Sequence, residues 1–347
     1  MTVSAQDHRH LDPVDHAVIE ALQVSPRATW AAIGEVIGVD PVTVARRWKR
    51  LSESGVAWVT AYPGPDGSGT TALVDIAVGP RHLDAAARHI SADPHVFTLE
   101  RATGAYSLTA IVGATDVGRL IGHSLDRIER APGVSAVEIH LVTRIFLEAS
   151  RWRMRGLDTA QLSRLKELAP PIPVRHVRDT PLDSEVVGVL AADGRAAGTD
   201  IAGVLGTSVH TARRRLDRVL TSGQLVFRCD VAQPFTGWPV CATFRAAVAP
   251  AKVTATAQTL STLPEIRMCM ACTGPHNLHI SVWLRAIDDV HRLESLLAER
   301  LPDLHITDRV IVLRQYKSGG RVLDEAGRAV PVPADAISHG ADFRIDL

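Results

Sequence analysis

Two stretches of the chain place threonine and arginine side chains at the spacing of one helix face. The first set, at i, i+3, i+4 and i+7, is Thr43, Arg46, Arg47 and Arg50. The second set, at the same spacing, is Thr211, Arg214, Arg215 and Arg218. Arginine can donate two hydrogen bonds to a guanine edge or hold a phosphate, and threonine can contact a thymine methyl group. The two stripes therefore predict surfaces that enter the major groove of double-stranded DNA.

Short helices must position the first stripe. Apolar residues repeat at helical spacing in segments 18–22 and 33–37. Gly38 then interrupts the pattern, Asp40 suits an N-cap, and Pro41 suits the first position of a helix. A third helix is expected to start there and to pack through Val44, Trp48 and Leu51. This arrangement is a helix-turn-helix with the arginine stripe on its last helix.

The chain repeats itself. Informative residues recur 168 positions later, as in Asp15/Asp183, Arg27/Arg195, Gly38/Gly206, Arg46/Arg214 and Gly55/Gly223. We therefore predict two helix-turn-helix domains, at residues 11–60 and 182–228. His210 opens the last helix of the second copy, where it is a further candidate for DNA contact.

A segment of different texture follows each copy. Residues 70–150 are predicted to have the order β-α-β-β-α-β, which is the ferredoxin-like arrangement, and residues 238–317 repeat it at an offset of 170. Residues 151–181 hold a Pro-rich spacer, Pro170-Pro171-Ile172-Pro173, and are assigned as the linker; residues 318–347 are assigned as a C-terminal arm, extended or partly disordered. The predicted fold class is α+β, with two winged-helix-like domains and two ferredoxin-like domains in tandem.

Composition limits the classes of function. The chain has 38 basic and 38 acidic residues, so any affinity for DNA must come from local rather than net charge. No apolar stretch is long enough for a membrane helix, and the first residues lack a signal peptide, so no membrane association and a cytoplasmic location are expected.

No catalytic or metal-binding motif emerges from the spacing of reactive residues. Cys269 and Cys272 are three apart on a predicted strand, where their sulfurs would point to opposite faces. The 15 histidines show no HxxxH or HExxH spacing. We therefore predict no catalytic residues, no metal and no cofactor, and a protein that is not an enzyme.

The sequence LDxxD at residues 11–15, Arg27, Gly38, RRWKRL at residues 46–51 and SGV at residues 54–56 resembles the helix-turn-helix of the Lrp/AsnC family of transcription regulators. The β-α-β-β-α-β segments with their Thr-Gly turns resemble that family's ligand-binding and oligomerisation domain. The resemblance implies an operator-binding regulator. The duplication implies a built-in pseudo-dimer, and a homo-oligomer of tandem chains, a dimer or larger, is expected.

The resemblance also implies that a small-molecule effector binds near the Thr-Gly turns. The candidate residues are Thr103, Gly104, Tyr106, Thr273, Gly274, His276 and Asn277. The aspartate that usually follows the turn in the family is missing from both copies, which argues against an amino-acid effector.

Two alternatives stay open. Sirohaem-type decarboxylases also resemble fused Lrp/AsnC halves, although their arginine- and histidine-rich substrate segment has no clear match after Val59. The other alternative is an assembly or ligand-binding protein whose helix-turn-helix units are vestigial.

Overall fold

The computed structural model describes residues 11–63, 69–114, 116–174 and 182–332. They form two compact units. The first contains residues 11–63, 153–174, 182–235 and 328–332, and the second contains residues 69–114, 116–152 and 236–327. Among these residues no helix has both the length and the apolar character needed to cross a bilayer.

The helices, in chain order, are α1 Pro13–Val24, α2 Trp30–Ile37, α3 Pro41–Glu53, α4 Leu83–Ser91, α5 Val117–Arg119, α6 Asp126–Glu129, α7 Thr159–Leu168, α8 Ser184–Ala192, α9 Gly198–Leu205, α10 Val209–Leu220, α11 Val253–Leu260 and α12 Asp289–Arg300. The strands are β1 Ala57–Pro63, β2 Thr70–Val78, β3 Val96–Ala102, β4 Leu108–Ala114, β5 Val134–Leu147, β6 Leu225–Val231, β7 Val240–Ala247, β8 Ile266–Cys272, β9 Leu278–Leu284, β10 His305–Ser318 and β11 Arg321–Val322. A π-helical segment, Leu120–Leu125, joins α5 to α6.

The first unit holds both three-helix bundles, α1–α3 and α8–α10. The side chain of Asp40 accepts a hydrogen bond from the Val42 N–H, and Pro41 starts α3, as the sequence predicts. Ser208 caps α10 in the same way through the Thr211 N–H. Gly38 and Gly206 each end the preceding helix in the left-handed conformation, with φ of 70° and 60°.

A two-stranded antiparallel ribbon joins the two bundles. Its strands β1 and β6 are repeat-equivalent, and they pair from Ala57↔Val231 to Pro63↔Leu225. Thr60 is paired with Arg228, which is its own equivalent at the 168-residue offset, so the ribbon has an approximate two-fold axis at this point. The first unit is therefore a pseudo-dimer made within one chain.

The second unit confirms the two ferredoxin-like copies. The strand order is β5-β2-β4-β3 in the first copy and β10-β7-β9-β8 in the second, with every pair antiparallel. The long last strand of each copy crosses to the other copy. The second half of β5 pairs with β8, and the second half of β10 pairs with β3, so eight strands form a closed cycle to which β11 is appended.

Each copy packs the helix-bearing face of its sheet over its own apolar core. Ala72, Val74 and Ile76 of β2 lie in the first core, and Ala242, Phe244 and Ala246 of β7 lie in the second. The opposite face of β2 carries Leu73, which packs with Met270 and Cys272 of the other copy. The inner faces of the two sheets thus meet each other, and polar residues on those faces are enclosed.

The two cysteines of β8 lie on opposite faces of the sheet, as the sequence predicts. Cys269 belongs to the core under the helices of the second copy, whereas Cys272 faces the first copy's sheet. Burial raises the pKa of both thiols, to about 12 and about 11. Most of the predicted C-terminal arm, from residue 333 onward, lies outside the described residues.

Candidate functional site

Helix α3 buries one face and exposes another. Val44, Trp48 and Leu51 are buried against the bundle, which fixes the rotation of the helix. Arg46 then points to solvent, and Thr43 is partly exposed one turn before it. In the described parts of the chain, no ion pair involves Arg46, so its guanidinium is available to an external acceptor.

Arg47 and Arg50 are held by the first helix. Nη1 of Arg47 lies 2.6 Å from Asp12 Oδ2 and 2.9 Å from Asp15 Oδ1, and Nη2 of Arg50 lies 2.6 Å from Asp15 Oδ2. Hydrogen bonds to Asp12 and Asp15 raise the pKa of Arg47. Arg47 therefore braces α3 against α1, which is one of the two roles that its position on the helix allows. Arg50 keeps 54% of its side chain exposed beside this brace.

Helix α10 is held by the first helix of its bundle in the same way, except that only one of its arginines is paired among the described residues. Arg215 contacts Asp183 Oδ2 and Glu185 Oε2, both at 2.6 Å. Burial opposes ionisation of Asp183, but hydrogen bonds from Arg215 and the Val186 N–H outweigh it and lower the pKa of that carboxyl. Arg218, the equivalent of Arg50, is exposed and forms no ion pair with any residue that the structure describes.

The remaining predicted residues of α10 lie on its exposed side. Arg214 and His210 are exposed. Thr211 is partly exposed, and its hydroxyl lies 2.9 Å from the hydroxyl of Ser208, so part of its hydrogen-bonding capacity supports the cap. The structure therefore leaves Arg46, Arg214 and Arg218 as the arginines of the two stripes that are both exposed and unpaired within the described residues.

Two further arginines tie the bundles together reciprocally. Arg27 donates to the carbonyl oxygens of Gly194 and Ala196, and Arg195 donates to those of Pro26 and Ala28. The Arg195 guanidinium also stacks over the ring of Trp30 at 3.9 Å. Each bundle thus supplies one arginine and receives one, which fixes α3 and α10 as a pair.

In the second unit, two of the predicted effector residues, Thr103 and Thr273, form hydrogen bonds between the two copies. Thr103 exchanges two hydrogen bonds with the backbone of Ile311, and Thr273 does the same with Leu141. Both amide atoms of Asn277 are used by the backbone of Val248, so this residue anchors a strand.

The second Thr-Gly turn closes over a histidine. The Thr273 carbonyl oxygen lies 3.1 Å from Nδ1 of His140. Gly274 has φ of +106°, and a Cβ there would lie 2.6 Å from the same nitrogen, so glycine is required for the approach. Gly104 has φ of +100°, but a Cβ at this position would meet no atom within 4 Å. The Nδ1 atom of His276 contacts the Thr307 hydroxyl at 2.7 Å.

A buried polar cluster surrounds His140. Its Nε2 lies 3.6 Å from Asp75 Oδ2 and 3.5 Å from Glu138 Oε1. Tyr106 donates to Glu138 Oε2 at 2.9 Å, and Arg245 donates to Asp75 Oδ1 at 2.7 Å. Burial raises the pKa of Asp75 in spite of the opposing charge of Arg245. Of the predicted effector residues, Tyr106, Thr273 and Gly274 therefore converge on this cluster.

Sequence reasoning missed the four charged or ionisable residues of the cluster. Asp75, Glu138, His140 and Arg245 lie on three strands, at separations that match no short motif. A signal was present in the repeat, because Asp75 and Arg245 occupy equivalent positions at the 170-residue offset with opposite charge.

Comparison with known protein families agrees with this architecture. The model of the AsnC-type helix-turn-helix domain matches residues 11–52. The model of the Lrp/AsnC ligand binding domain matches twice, at residues 71–152 and 241–322. The second helix-turn-helix, α8–α10, is supported by the sequence repeat and by the structure.

Related proteins include single-copy regulators. An uncharacterised HTH-type transcriptional regulator of Pyrococcus furiosus is 29% identical over 121 residues, which cover 35% of this chain and 80% of the relative. The HTH-type transcriptional regulator Ptr1 of Methanocaldococcus jannaschii is 24% identical over 146 residues, which cover 41% of this chain and 97% of the relative.

One solved structure is similar over nearly the whole chain. The siroheme decarboxylase NirDL aligns with a TM-score of 0.57 and 11% identity, over 95% of this chain and 97% of its own. At this identity the likeness concerns the fold.

Proposed function

Because the chain belongs to the Lrp/AsnC family of transcriptional regulators, we propose that it binds operator DNA through two recognition helices, α3 and α10, supplied by one polypeptide. A dimeric helix-turn-helix protein places one such helix in each of two major-groove half-sites, and the operator mirrors the symmetry of the protein. Here the ribbon and the reciprocal arginines make that pair within a single chain, which would act in the cytoplasm.

The observation that carries the proposal is that some arginines of the two stripes are paired within the protein and others are exposed and, among the described residues, unpaired. Arg47 and Arg215 are neutralised by acidic residues of their own bundles, and this fixes the orientation of each helix. Arg46 and Arg214 lie one residue earlier, are exposed, and occupy equivalent positions in the two copies. A rigid helix with a free arginine on its outer face suits a base-edge contact.

We assign the phosphate contacts to the neighbouring exposed groups. Arg50 and Arg218 lie one turn further along the same faces, with Thr43, Thr211 and His210 near the starts of the helices. Phosphate contacts lower the affinity for all sequences when lost, whereas loss of a base contact changes the sequence preference. The proposal therefore predicts different signatures for Arg46 and Arg50.

The ligand-binding unit is proposed to carry a small-molecule effector site near the Thr-Gly turns. The support is that each turn is held by the last strand of the other copy, so a ligand at either turn would contact both copies. A site of this kind can bias the relation between the copies only if the ligand binds one arrangement more tightly. The chain supplies both halves of the family dimer, and larger assemblies of tandem chains are proposed to form through this unit.

The test is a selection of duplexes from a random DNA pool, followed by salt-controlled titrations of the selected operator. Arg46→Ala and Arg214→Ala should each weaken operator binding by roughly 5- to 150-fold, corresponding to about 1–3 kcal/mol for a bidentate base contact. Arg164→Ala on α7 is the matched control, since Arg164 is an exposed arginine paired with Glu35. Unchanged affinity in both α3 and α10 variants would contradict the proposal.

A second candidate is decarboxylation of a sirohaem-like substrate, favoured by the full-length similarity to NirDL. A purified protein that is red, absorbs visible light and does not bind DNA would support this candidate. A colourless protein that selects a defined DNA sequence would support the regulator.

A further inference from the structure

The cluster around His140 brings three possible metal-ligand atoms within 4.8 Å of one another. His140 is 7% exposed and Asp75 is 4% exposed. Nε2 of His140 accepts or donates no hydrogen bond within the described residues, although it points at two carboxylate oxygens. A buried polar atom without a hydrogen-bond partner is costly, so this nitrogen is a candidate ligand atom.

The hydrogen bond at Nδ1 determines the tautomer of His140. Its Nδ1 lies 3.1 Å from the Thr273 carbonyl oxygen, which can only accept a hydrogen bond, so Nδ1 carries the proton. In neutral imidazole, Nε2 then carries a lone pair. That lone pair faces the oxygens of Asp75 and Glu138, and a proton or a metal cation between these atoms stabilises such an arrangement.

The distances suit a metal ion. Zinc binds imidazole nitrogen and carboxylate oxygen at about 2.0–2.2 Å, so the ligand atoms of a tetrahedral site lie about 3.4 Å apart. The separations from Nε2 to the two carboxylate oxygens are 3.6 Å and 3.5 Å, and all three donor atoms lie within 4.8 Å of one another. Small side-chain movements would complete the geometry.

The second polar atom of each donor residue is also held by a hydrogen bond. Arg245 holds the second oxygen of Asp75, Tyr106 holds the second oxygen of Glu138, and the Thr273 carbonyl holds Nδ1 of His140. Such outer contacts orient metal ligands and set their protonation. Glu138 keeps 41% of its side chain exposed, so one of the three ligand residues is open to solvent.

The equivalent position in the other copy keeps only one of the three donor groups. At the 170-residue offset, Asp75, Glu138 and His140 become Arg245, Asp308 and Val310. The set of three donor groups is therefore complete at one of the two equivalent positions, and the other position serves as a matched internal control.

We propose that Asp75, Glu138 and His140 bind one divalent transition-metal ion per chain, in a site closed by the second Thr-Gly turn. One imidazole and two carboxylates suit zinc and other first-row divalent ions. This proposal does not depend on DNA binding, and it stands or falls separately from the regulator assignment.

The test uses full-length protein stripped with a chelator and then titrated with Zn²⁺ or Co²⁺ alone. We expect one ion per chain, the intense visible bands of low-symmetry cobalt, and a rise in the unfolding temperature with added Zn²⁺. His140→Ala and Glu138→Gln should abolish this stoichiometric binding. Asp308→Asn, at the position equivalent to Glu138, should retain it.

A second pair of variants covers the case in which His140→Ala fails to fold. Gly274→Ala and Gly104→Ala share the penalty of a positive φ, but only the former places its Cβ against the His140 ring. We expect Gly274→Ala to weaken Zn²⁺ binding by at least about tenfold, the scale of an outer-contact defect, while Gly104→Ala binds as the parent protein does. Absence of stoichiometric Zn²⁺ binding in the parent protein would overturn the proposal. Zn²⁺ binding by Glu138→Gln and Gly274→Ala that equals binding by the parent protein would also overturn it.

Discussion

The two units treat the internal repeat in opposite ways. In the first unit, the equivalent residues Arg27 and Arg195 make the same contact, each with carbonyl oxygens of the opposite bundle. In the second unit, the equivalent positions 75 and 245 carry Asp and Arg, which meet as an ion pair at 2.7 Å. At these positions the first unit keeps the symmetry of a homodimer, and the second unit has lost it.

The difference follows from what each surface contacts, which is the proposed DNA in the first unit and the other copy in the second. Two half-sites of an inverted repeat present the same surface twice, so a DNA-binding pair gains from remaining alike. A residue near a two-fold axis of identical chains meets its own copy, and two aspartates or two arginines would repel each other there. Duplication removes this restriction, and the Asp75–Arg245 pair is an arrangement that only fused or unlike copies can have.

The largest expected effect concerns this buried ion pair. Arg245→Leu should destabilise the protein by about 3–5 kcal/mol, because it leaves the buried Asp75 carboxylate without its partner. The double variant Asp75→Leu/Arg245→Leu should recover most of the loss, since neither charge then remains buried. Urea denaturation at neutral pH measures both, and a double variant as unstable as the single one would show that the charges are not coupled.

A smaller and symmetric effect is expected in the first unit. Arg27→Ala and Arg195→Ala should each cost about 1.5–3 kcal/mol, because each removes charged donors from two backbone carbonyls. The two losses should be equal within error if the bundles remain equivalent. Urea denaturation measures both losses, and a clear difference between them would contradict this expectation.

The smallest effect is a dependence on acid. The pKa of Asp183 is lowered below its ordinary value of 3.8, so its contribution to stability is complete above that pH and is lost as the pH falls below it. The pKa of Asp12 is lowered as well, although burial opposes it, by the backbone N–H of Asp15 and by Arg47.

The thermal unfolding temperature should therefore fall between pH 5 and pH 3 by less in Asp183→Asn than in the parent protein. An identical pH profile for the two proteins would show that the Arg215 brace contributes nothing to the acid sensitivity.

Local sequence signals predicted much of this fold. Asp40 and Pro41 mark the start of α3, and the Thr-Gly turns mark the β3–β4 and β8–β9 connections, because caps and turns are decided within a few residues. The repeat predicted two copies of each domain.

Contacts between distant residues could not be predicted in this way. Asp15 contacts Arg47 and Arg50 across 32 and 35 positions, and the residues of the His140 cluster lie on β2, β5 and β7. Which strand of one copy crosses to the other depends on the packing of whole sheets, to which no short pattern corresponds. The sequence therefore indicated the arginine stripes but not which arginines are free.

The most direct test of the central claim, that one chain presents two equivalent recognition helices, is the binding of Arg46→Ala and Arg214→Ala to the selected operator. The account predicts that the operator is an inverted repeat, that one chain occupies it, and that the two variants lose the same factor in affinity. An operator with a single half-site, bound as well by Arg214→Ala as by the parent protein, would contradict it.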